Sequence, residues 1–531
     1  MNNSVKKFFL TSILFFLSVF LFSINNAFFN WIVFVPVLFL VKVCDFKFVF
    51  LWGGLYGFFS YFFYVFWLSN LNFLYLILVC FLYFILWAFL FLCLKFFFEK
   101  SQIFLHLKIF LFLCIFEFLK TKGFLGFSFG LISHSQYTNL FLIQISDIFG
   151  IWAVDFLMIY SSVLIFKILE DFIKISGSFS VKLKNSFLIN RFSSCVFIFL
   201  LVFFYSYGII KVFIQEEEKS SCEKIKIAAI QNNVDPWDDD IKDFSNQIEK
   251  LKNLSRKCIE ENPDVKIIVW PETAVIPSIE KNYFSDFPSE RKKIIENLLL
   301  FIDSMPSSFV IGNYNAQKNL KDYNSVYFFT PKENVLPPSR ECYSKIHLVP
   351  FSEYFPEYLK IWPFTHIFSE ENLWEKGSEY KVFSLGDFKF STPVCFEDNF
   401  SSDLIKFVRN GARCFINLSN DSWAKSKRCQ VQHLQAAVFR SVENKIYSVR
   451  STSSGETCFI SSVGKIYLRS PSFEENYIQG EVYYSEKQNA MYTRFGDFLP
   501  YSFIFCFVIY MIFSFIAYFM NITEDKMMSS N

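Results

Sequence analysis

The sequence predicts a polytopic α-helical membrane domain joined to an α/β domain, with one further membrane helix at the C-terminal end. Three observations carry this. Of the 531 residues 53% are hydrophobic, 76 of them Phe. Apolar runs long enough to cross a bilayer crowd the first 215 residues and return after residue 500. The stretch between them alternates strand-like and helix-like periodicity.

A bilayer core about 30 Å thick needs roughly 20 apolar residues in a helix, because lipid offers no partner to an open backbone group. Runs of that kind lie at residues 8–22, 27–43, 48–68, 73–94, 103–119, 148–168, 195–213 and 501–520. This predicts eight transmembrane helices, seven N-terminal and one C-terminal. Lys6 and Lys7 before an apolar run also suit a signal peptide. With no small-residue cleavage site and a second run starting within a few residues, the first run is expected to be a membrane helix.

The predicted division is therefore a membrane domain over 1–215, a polar domain over 216–498, and a last helix with a short tail over 499–531. With the N-terminus inside, Lys42, Lys47, Lys95, Lys100, Lys108, Lys174, Lys182, Lys184 and Arg191 fall in cytoplasmic loops. Outside loops hold little beyond Lys120 and Lys122. The positive-inside bias then places the polar domain outside the cytoplasm.

Within that domain, strands are expected at 224–230, 265–269, 309–312, 326–330 and 414–418, and helices at 238–261, 289–305, 403–410 and 431–444. The helix at 238–261 repeats Ile241, Phe244, Ile248, Leu251, Leu254 and Cys258 at spacings of three and four. Balanced charge, 51 basic against 49 acidic residues, gives no footprint for nucleic acid. Thirteen cysteines without a CxxC pair, and only five histidines, predict neither a disulfide framework nor a zinc site of common spacing.

Three polar residues follow strand-like runs, where an α/β sheet presents side chains to a site. Glu272 stands in Trp270-Pro271-Glu272, where proline fixes the chain and holds the carboxylate at a strand end. Lys345 stands in Lys345-Ile-His-Leu-Val-Pro-Phe-Ser-Glu353, a composition that suits a desolvated ammonium beside an acid. Cys395 follows residues 388–394, and a thiol nucleophile needs a base from elsewhere in the chain, for which Glu272 is available. Taken singly, each also suits a plainer role: a capping glutamate, a solvated lysine, a small buried hydrophobe.

Taken together, Trp-Pro-Glu, then Lys-x-His-Leu-Val-Pro-Phe-x-Glu-Tyr, then Cys-Phe-Glu resembles the carbon-nitrogen hydrolase (nitrilase) superfamily. The membrane helices before and after narrow the resemblance to its membrane-embedded, lipoprotein-acylating branch, over essentially the whole chain. Residues 227–233 with Trp237 resemble the domain's opening, and Asn417-Leu-Ser-Asn420-Asp-Ser-Trp423 a further segment. In the membrane half, Glu117, Ser135-Gln136 and Phe149-Gly150 fit weakly. The sequence departs from the family at Ser352, where Gly is usual, at Phe396, where Tyr is common, and at Ala424-Lys425, where Phe-Gly is usual.

The resemblance implies an αββα sandwich carrying a Glu272–Lys345–Cys395 triad, with Glu272 as general base, Lys345 as oxyanion stabiliser and Cys395 as nucleophile. Glu353, Glu397, Trp237, Asn420 and the backbone N–H of Phe396 are the implied supporting groups. It implies no metal and no cofactor, a phospholipid acyl donor, a diacylated apolipoprotein acceptor, and a place in a bacterial inner membrane with the catalytic domain on the periplasmic side. The implied chemistry is acyl transfer through a Cys395 thioester. The alternatives are a membrane-tethered amidase or nitrilase with water as acceptor, and a non-enzymatic binding or transport protein. His347 and His433 are expected to be structural.

Overall fold

A computed structural model describes residues 3–100, 104–123, 126–234, 241–316, 322–355, 374–486 and 490–528. Trp237 lies outside the described residues.

Among the described residues five helices are long and apolar enough to cross a membrane: Val5–Ile24, Phe46–Tyr64, Phe73–Lys100, Trp152–Lys174 and Arg191–Ser221. Their outward faces are apolar, with Phe16 69%, Phe199 67% and Phe192 79% exposed, a surface that suits lipid and not water. The other expected spans form shorter apolar helices. Residues 27–43 give a 3₁₀ turn, Phe29–Ile32, and then Phe34–Val43; residues 103–119 give Leu105–Leu119. The last helix runs Phe498–Met528 and is apolar through Ser514. The run expected at 148–168 is interrupted at Gly150, whose φ of 68° ends one helical turn before Trp152–Lys174 begins.

Helices Phe46–Tyr64 and Phe73–Lys100 pack closely because glycines line the first. A Cβ at Gly57 would sit 2.2 Å from the Tyr83 carbonyl oxygen, and one at Gly53 2.6 Å from the Phe91 ring. Small residues at such contacts supply the backbone approach on which helix packing in lipid depends.

Two carboxylates inside the apolar segments, Glu117 and Asp155, anchor one loop. Glu117 takes Lys120 Nζ at 2.6 Å, and Lys120 also donates to the Gly130 carbonyl at 3.1 Å. Asp155 accepts from the Ser133 N–H at 3.1 Å and its hydroxyl at 2.9 Å. Their partners are local, so they fix a loop and do not mark a transport path.

The described residues of the polar half form twelve strands: β1 (Glu223–Gln231), β2 (Ile267–Val269), β3 (Ser308–Ala316), β4 (Asp322–Phe329), β5 (Cys342–Ser344), β6 (Phe383–Leu385), β7 (Phe388–Phe390), β8 (Cys414–Ser419), β9 (Tyr447–Thr452), β10 (Cys458–Ile460), β11 (Ile466–Arg469) and β12 (Asn476–Tyr484). One sheet has the order β12-β1-β2-β3-β4-β5 and the other β11-β10-β9-β8, with β6-β7 a separate ribbon. The inner pairs β1-β2, β2-β3 and β8-β9 are parallel. That leaves β2, Ile267–Val269, buried along its whole length and explains its unbroken apolar composition.

Alternate residues of β1 serve different layers. Ala228 and Ile230 join Ile248, Leu251, Ile295 and Leu298 of helices Ile241–Glu261 and Glu290–Ser304. Ile227 and Ala229 join Ile416, Leu418 and Val449 of the second sheet. Helices Ser401–Arg409 and Lys427–Asn444 supply Leu404, Phe407, Leu434 and Val438 to the same core. The result is an αββα sandwich, pinned between its sheets by the Ser451 hydroxyl, which donates to the Ile230 carbonyl at 2.8 Å.

No two of the thirteen cysteines are joined by a disulfide. Core and membrane half are continuous: the apolar cluster between the sheets runs on through Phe129, Ile132 and Trp152 into the helices.

Candidate active site

Glu272 lies just beyond β2, where Trp270 still pairs with β3 through its N–H to the Val310 carbonyl, 2.9 Å. The turn rests against Gly312 of β3. A Cβ there would stand 2.4 Å from the Pro271 carbonyl and 2.8 Å from the Glu272 Cα, so only glycine lets the carboxylate approach this far. Gly312→Ala is therefore expected to displace Glu272 and lower turnover at least about tenfold, by analogy with the cost of a small misplacement. Steady-state kinetics beside a thermal melt check this, a tenfold loss with an unchanged melt being the expected pattern.

The carboxylate is buried and fully engaged. Oε1 accepts from Asn324 Nδ2 at 2.7 Å and Lys345 Nζ at 3.3 Å, and Oε2 accepts from the Asn420 N–H at 2.8 Å. Asn420 thus acts through its backbone, while its side chain accepts from the Ser422 N–H at 3.2 Å.

Lys345 follows β5 and is wholly buried. Besides Glu272, its ammonium reaches Glu353 Oε1 at 2.6 Å. Burial disfavours the charge, but Glu353 and Glu272 outweigh it, so the Lys345 pKa is raised and the group stays an ammonium. Glu353 is held in turn by the Val349 N–H at 2.8 Å. Burial pushes the Glu353 carboxyl upward against the pull of Lys345.

Cys395 is placed differently from a strand residue. After β7 the chain makes isolated bridges at Ser391 and Val394 to β8, then turns into a single 3₁₀ turn, Cys395–Asn399. Cys395 opens that turn at φ 51°, a left-handed conformation that costs an L-residue about 1–2 kcal/mol. Thr273, next to Glu272, has φ 50° and Phe351, beside Glu353, φ 64°. Strained backbone thus recurs on all three strand-end loops of the site.

The Cys395 thiol is pushed well above the ordinary range, first by burial, then by the charge of Glu272, with Lys345 opposing. At rest it is a protonated thiol, so any use of it as a nucleophile requires a base. Phe396 follows it at the start of the turn, where N–H groups lack partners within the helix. Its ring packs on Phe129 at 6.0 Å and edge-on to Phe400 at 5.0 Å, an apolar fit for the position where Tyr is common.

Glu397 fastens the loop. It accepts from the Val394 N–H at 2.7 Å, the Ile346 and His347 N–H groups at 2.8 and 3.0 Å, and the Tyr343 hydroxyl at 2.8 Å. One carboxylate therefore locks the Cys395 turn to the segment carrying Lys345. Every partner is a donor, so an amide cannot replace it without facing N–H to N–H. Glu397→Gln is expected to destabilise the domain by about 3 kcal/mol and to lower kcat, read by denaturation and kinetics.

His347 has Nδ1 2.8 Å from Asp403 and its ring stacked on Phe400. His433 stands closer to the chemistry. A His433 ring nitrogen, an Asp421 carboxylate oxygen and Cys395 Sγ lie within 4.8 Å of one another. Nδ1 is 2.8 Å from Asp421 Oδ1, outside hydrogen-bond alignment. Burial opposes the Asp421 charge, and His433 with Arg450 outweighs it, keeping that carboxyl below its usual range. Such donors can hold a divalent cation, which would occupy the Cys395 sulfur.

Sequence reasoning missed Asn324, which lies on β4 in no motif. It also missed the far wall of the site. Cys395, Glu272 and Glu353 face a cavity of about 530 Å³ whose other side is Trp67, Leu71, Tyr75, Leu78 and Leu82 of the membrane half. The halves are tied there by the Trp67 indole N–H to Gln432 Oε1 at 2.7 Å, Asn70 Nδ2 to the Ala424 carbonyl at 2.6 Å, and the Tyr75 hydroxyl to the Phe351 carbonyl at 2.8 Å. Beside Ala424, Lys425 holds φ 43°, a conformation for which the glycine usual in the family is better suited.

The αββα domain, with its acid, ammonium and thiol on three strand ends, defines the class of carbon-nitrogen hydrolases, whose family model matches residues 226–490. Residues 11–164 match a second model, the apolipoprotein N-acyltransferase N-terminal domain. Apolipoprotein N-acyltransferase 1 of Treponema denticola is 35% identical over 89% of this chain and 88% of its own. That of Treponema pallidum is 34% identical over 72% of each, and the Geobacter metallireducens enzyme 30% identical over 70% of this chain and 67% of its own. The chain belongs to the apolipoprotein N-acyltransferase family.

Proposed function

We propose that this protein moves an acyl chain from a membrane phospholipid, through a thioester on Cys395, to the α-amine of the N-terminal diacylglyceryl-cysteine of an apolipoprotein. The observation that carries this is the shared cavity: a thiol and a carboxylate open onto a chamber walled by apolar residues of membrane helices, with the buried Lys345 ammonium behind them, 3.3 Å from Glu272. Both substrates carry their acyl chains in the bilayer, so that wall is where such chains arrive.

In the first half-reaction Glu272 takes the thiol proton as Cys395 Sγ attacks the ester carbonyl carbon. Lys345 and the Phe396 N–H receive the oxyanion, each such donor contributing about 3 kcal/mol. Collapse of the tetrahedral intermediate breaks the ester C–O bond. The lysophospholipid alkoxide takes the proton back from Glu272 and leaves as an alcohol, restoring the carboxylate. In the second half-reaction the α-amine attacks the thioester, Glu272 accepts its proton, and the thiol is restored as the amide forms. Glu353 positions Lys345, and Glu397 positions the Cys395 turn. The apolar wall keeps water from the thioester, which distinguishes this reading from hydrolysis of a small amide.

The reading includes eight membrane crossings, a catalytic domain over 216–498 and an extracytoplasmic active site. Its support is the sidedness of charge. Lys7 pairs with Asp45, and Lys42 and Lys174 pair with Glu170, at helix ends far from those where Arg428 of the catalytic half donates to the Phe63 and Ser23 carbonyls. Basic residues favour the cytoplasmic ends, so the active site falls on the other side.

The test is to incubate the purified protein with phospholipid alone and weigh the peptide containing Cys395. An acyl adduct that disappears on adding a diacylated lipopeptide, which itself gains an acyl chain, is expected. Absence of any adduct, or ammonia release from simple amides without acyl transfer, would overturn the reading.

A further inference from the structure

A second cavity, of about 500 Å³, lies where helix Arg191–Glu218 leaves the membrane half for β1, and its lining includes Asp147, Lys211, Lys219, Lys445, Ser462 and Tyr483. Among these described side chains three ammonium groups meet a single carboxylate. Asp147 is already committed: Oδ2 faces Lys445 at 2.9 Å and Lys211 at 3.4 Å, and Oδ1 accepts the Tyr207 hydroxyl at 2.6 Å. Lys219 rests over the Tyr483 ring at 4.6 Å. The Ser462 hydroxyl, buried in the same wall, has no hydrogen-bond partner among the described residues.

Unbalanced ammonium groups and an unused buried hydroxyl together call for an anion with several acceptor oxygens. The helix turn that lends Lys211 and Ile214 to the cavity also turns Ile210 and Phe213 outward, 58% and 68% exposed, on the lipid-facing flank. A phosphodiester seated among the lysines would therefore have its acyl chains beside an apolar helix face at the level of the headgroups.

We propose that this cavity binds the phosphate group of an anionic phospholipid, at a site separate from the acyl-transfer chamber. One lipid there joins helix Arg191–Glu218 to Lys445 at the end of helix Lys427–Asn444, fixing the catalytic domain against the bilayer. The site does not depend on the chemistry proposed for Cys395.

Native mass spectrometry of the full chain in micelles holding equal amounts of phosphatidylglycerol and phosphatidylcholine reads the site. Wild type is expected to retain phosphatidylglycerol in preference. The double variant Lys211→Gln, Lys445→Gln and the single variant Lys219→Gln, which leaves the Asp147 pairs intact, are expected to bind it about fivefold more weakly per lysine removed. Equal retention of both lipids by wild type, or unchanged retention by Lys219→Gln and the folded double variant, would overturn the proposal. Complete displacement by millimolar inorganic phosphate would also count against a lipid, identifying a free-phosphate site.

Discussion

Cys395→Ala is expected to lower acyl transfer by about 10⁴-fold or more, the scale on which removing a covalent nucleophile acts, while leaving the melting temperature within a few degrees. The two outcomes separate because the substitution removes one buried sulfur atom and no hydrogen bond that fixes the loop. The turn is held from its neighbours, by Glu397 on the Val394 N–H and by Asn417 Nδ2, which donates to the Cys395 carbonyl at 3.4 Å. Alanine keeps both and inherits the same φ of 51°. Cys395→Ser keeps the shape too, but its hydroxyl is harder to ionise than a thiol already pushed upward by burial and Glu272, so it is expected to be similarly inactive. Cys429 supplies the control. It is a second buried thiol close enough to feel the charge of Cys395, yet it does not line the cavity, so Cys429→Ala is expected to retain transfer. Transfer by Cys395→Ala, measured as acyl gain on a diacylated lipopeptide, would place the nucleophile elsewhere.

What could be read in the sequence follows how local each signal is. The period of three and four at 241–258 and the apolar runs of β1, β2 and β8 are local, and they became the layers of the sandwich. Glu272, Lys345 and Cys395 each follow a strand, and their motifs named them before their proximity was visible. The motif marks Glu397 as a supporting group that orients the Cys395 loop, but it does not name the partners, because Tyr343, Ile346 and His347 lie about fifty residues away. Asn324 carries no motif, and its contact with Glu272 exists only because β4 pairs with β3. The apolar wall of Trp67, Tyr75 and Leu82 is equally silent, since Phe and Leu are everywhere in the membrane half. Strand-like residues 388–394 misled in one respect: β7 stops at Phe390, because the chain must leave the ribbon and turn left-handed to present Cys395.

Lys345→Met should expose what the buried cation does beyond the oxyanion. In the intact site Lys345 Nζ lies between Glu272 Oε1 at 3.3 Å and Glu353 Oε1 at 2.6 Å. Methionine matches its length and removes the charge, so the two carboxylates face each other in a dry site. Two such groups cannot both ionise, and one proton is retained at a raised apparent pKa that belongs to the pair. Glu353 shows the direction, since burial and Glu272 already push it up and Lys345 is the group that opposes them. Loss of the oxyanion donor alone is expected to cost about 10²–10³ in kcat, and the retained proton moves the rising limb of the pH–rate profile to higher pH, because Glu272 is a base only when ionised. The stability effect has the opposite sign. A folded state that binds more protons than the unfolded chain is favoured by low pH, so the variant's deficit against wild type is expected to shrink as the pH falls below the raised pKa and to grow above it. Melting curves and transfer rates across the same pH series read both limbs. A Lys345→Met protein with an unshifted pH–rate limb would show that Lys345 does not govern the ionisation of Glu272, leaving it an oxyanion donor alone.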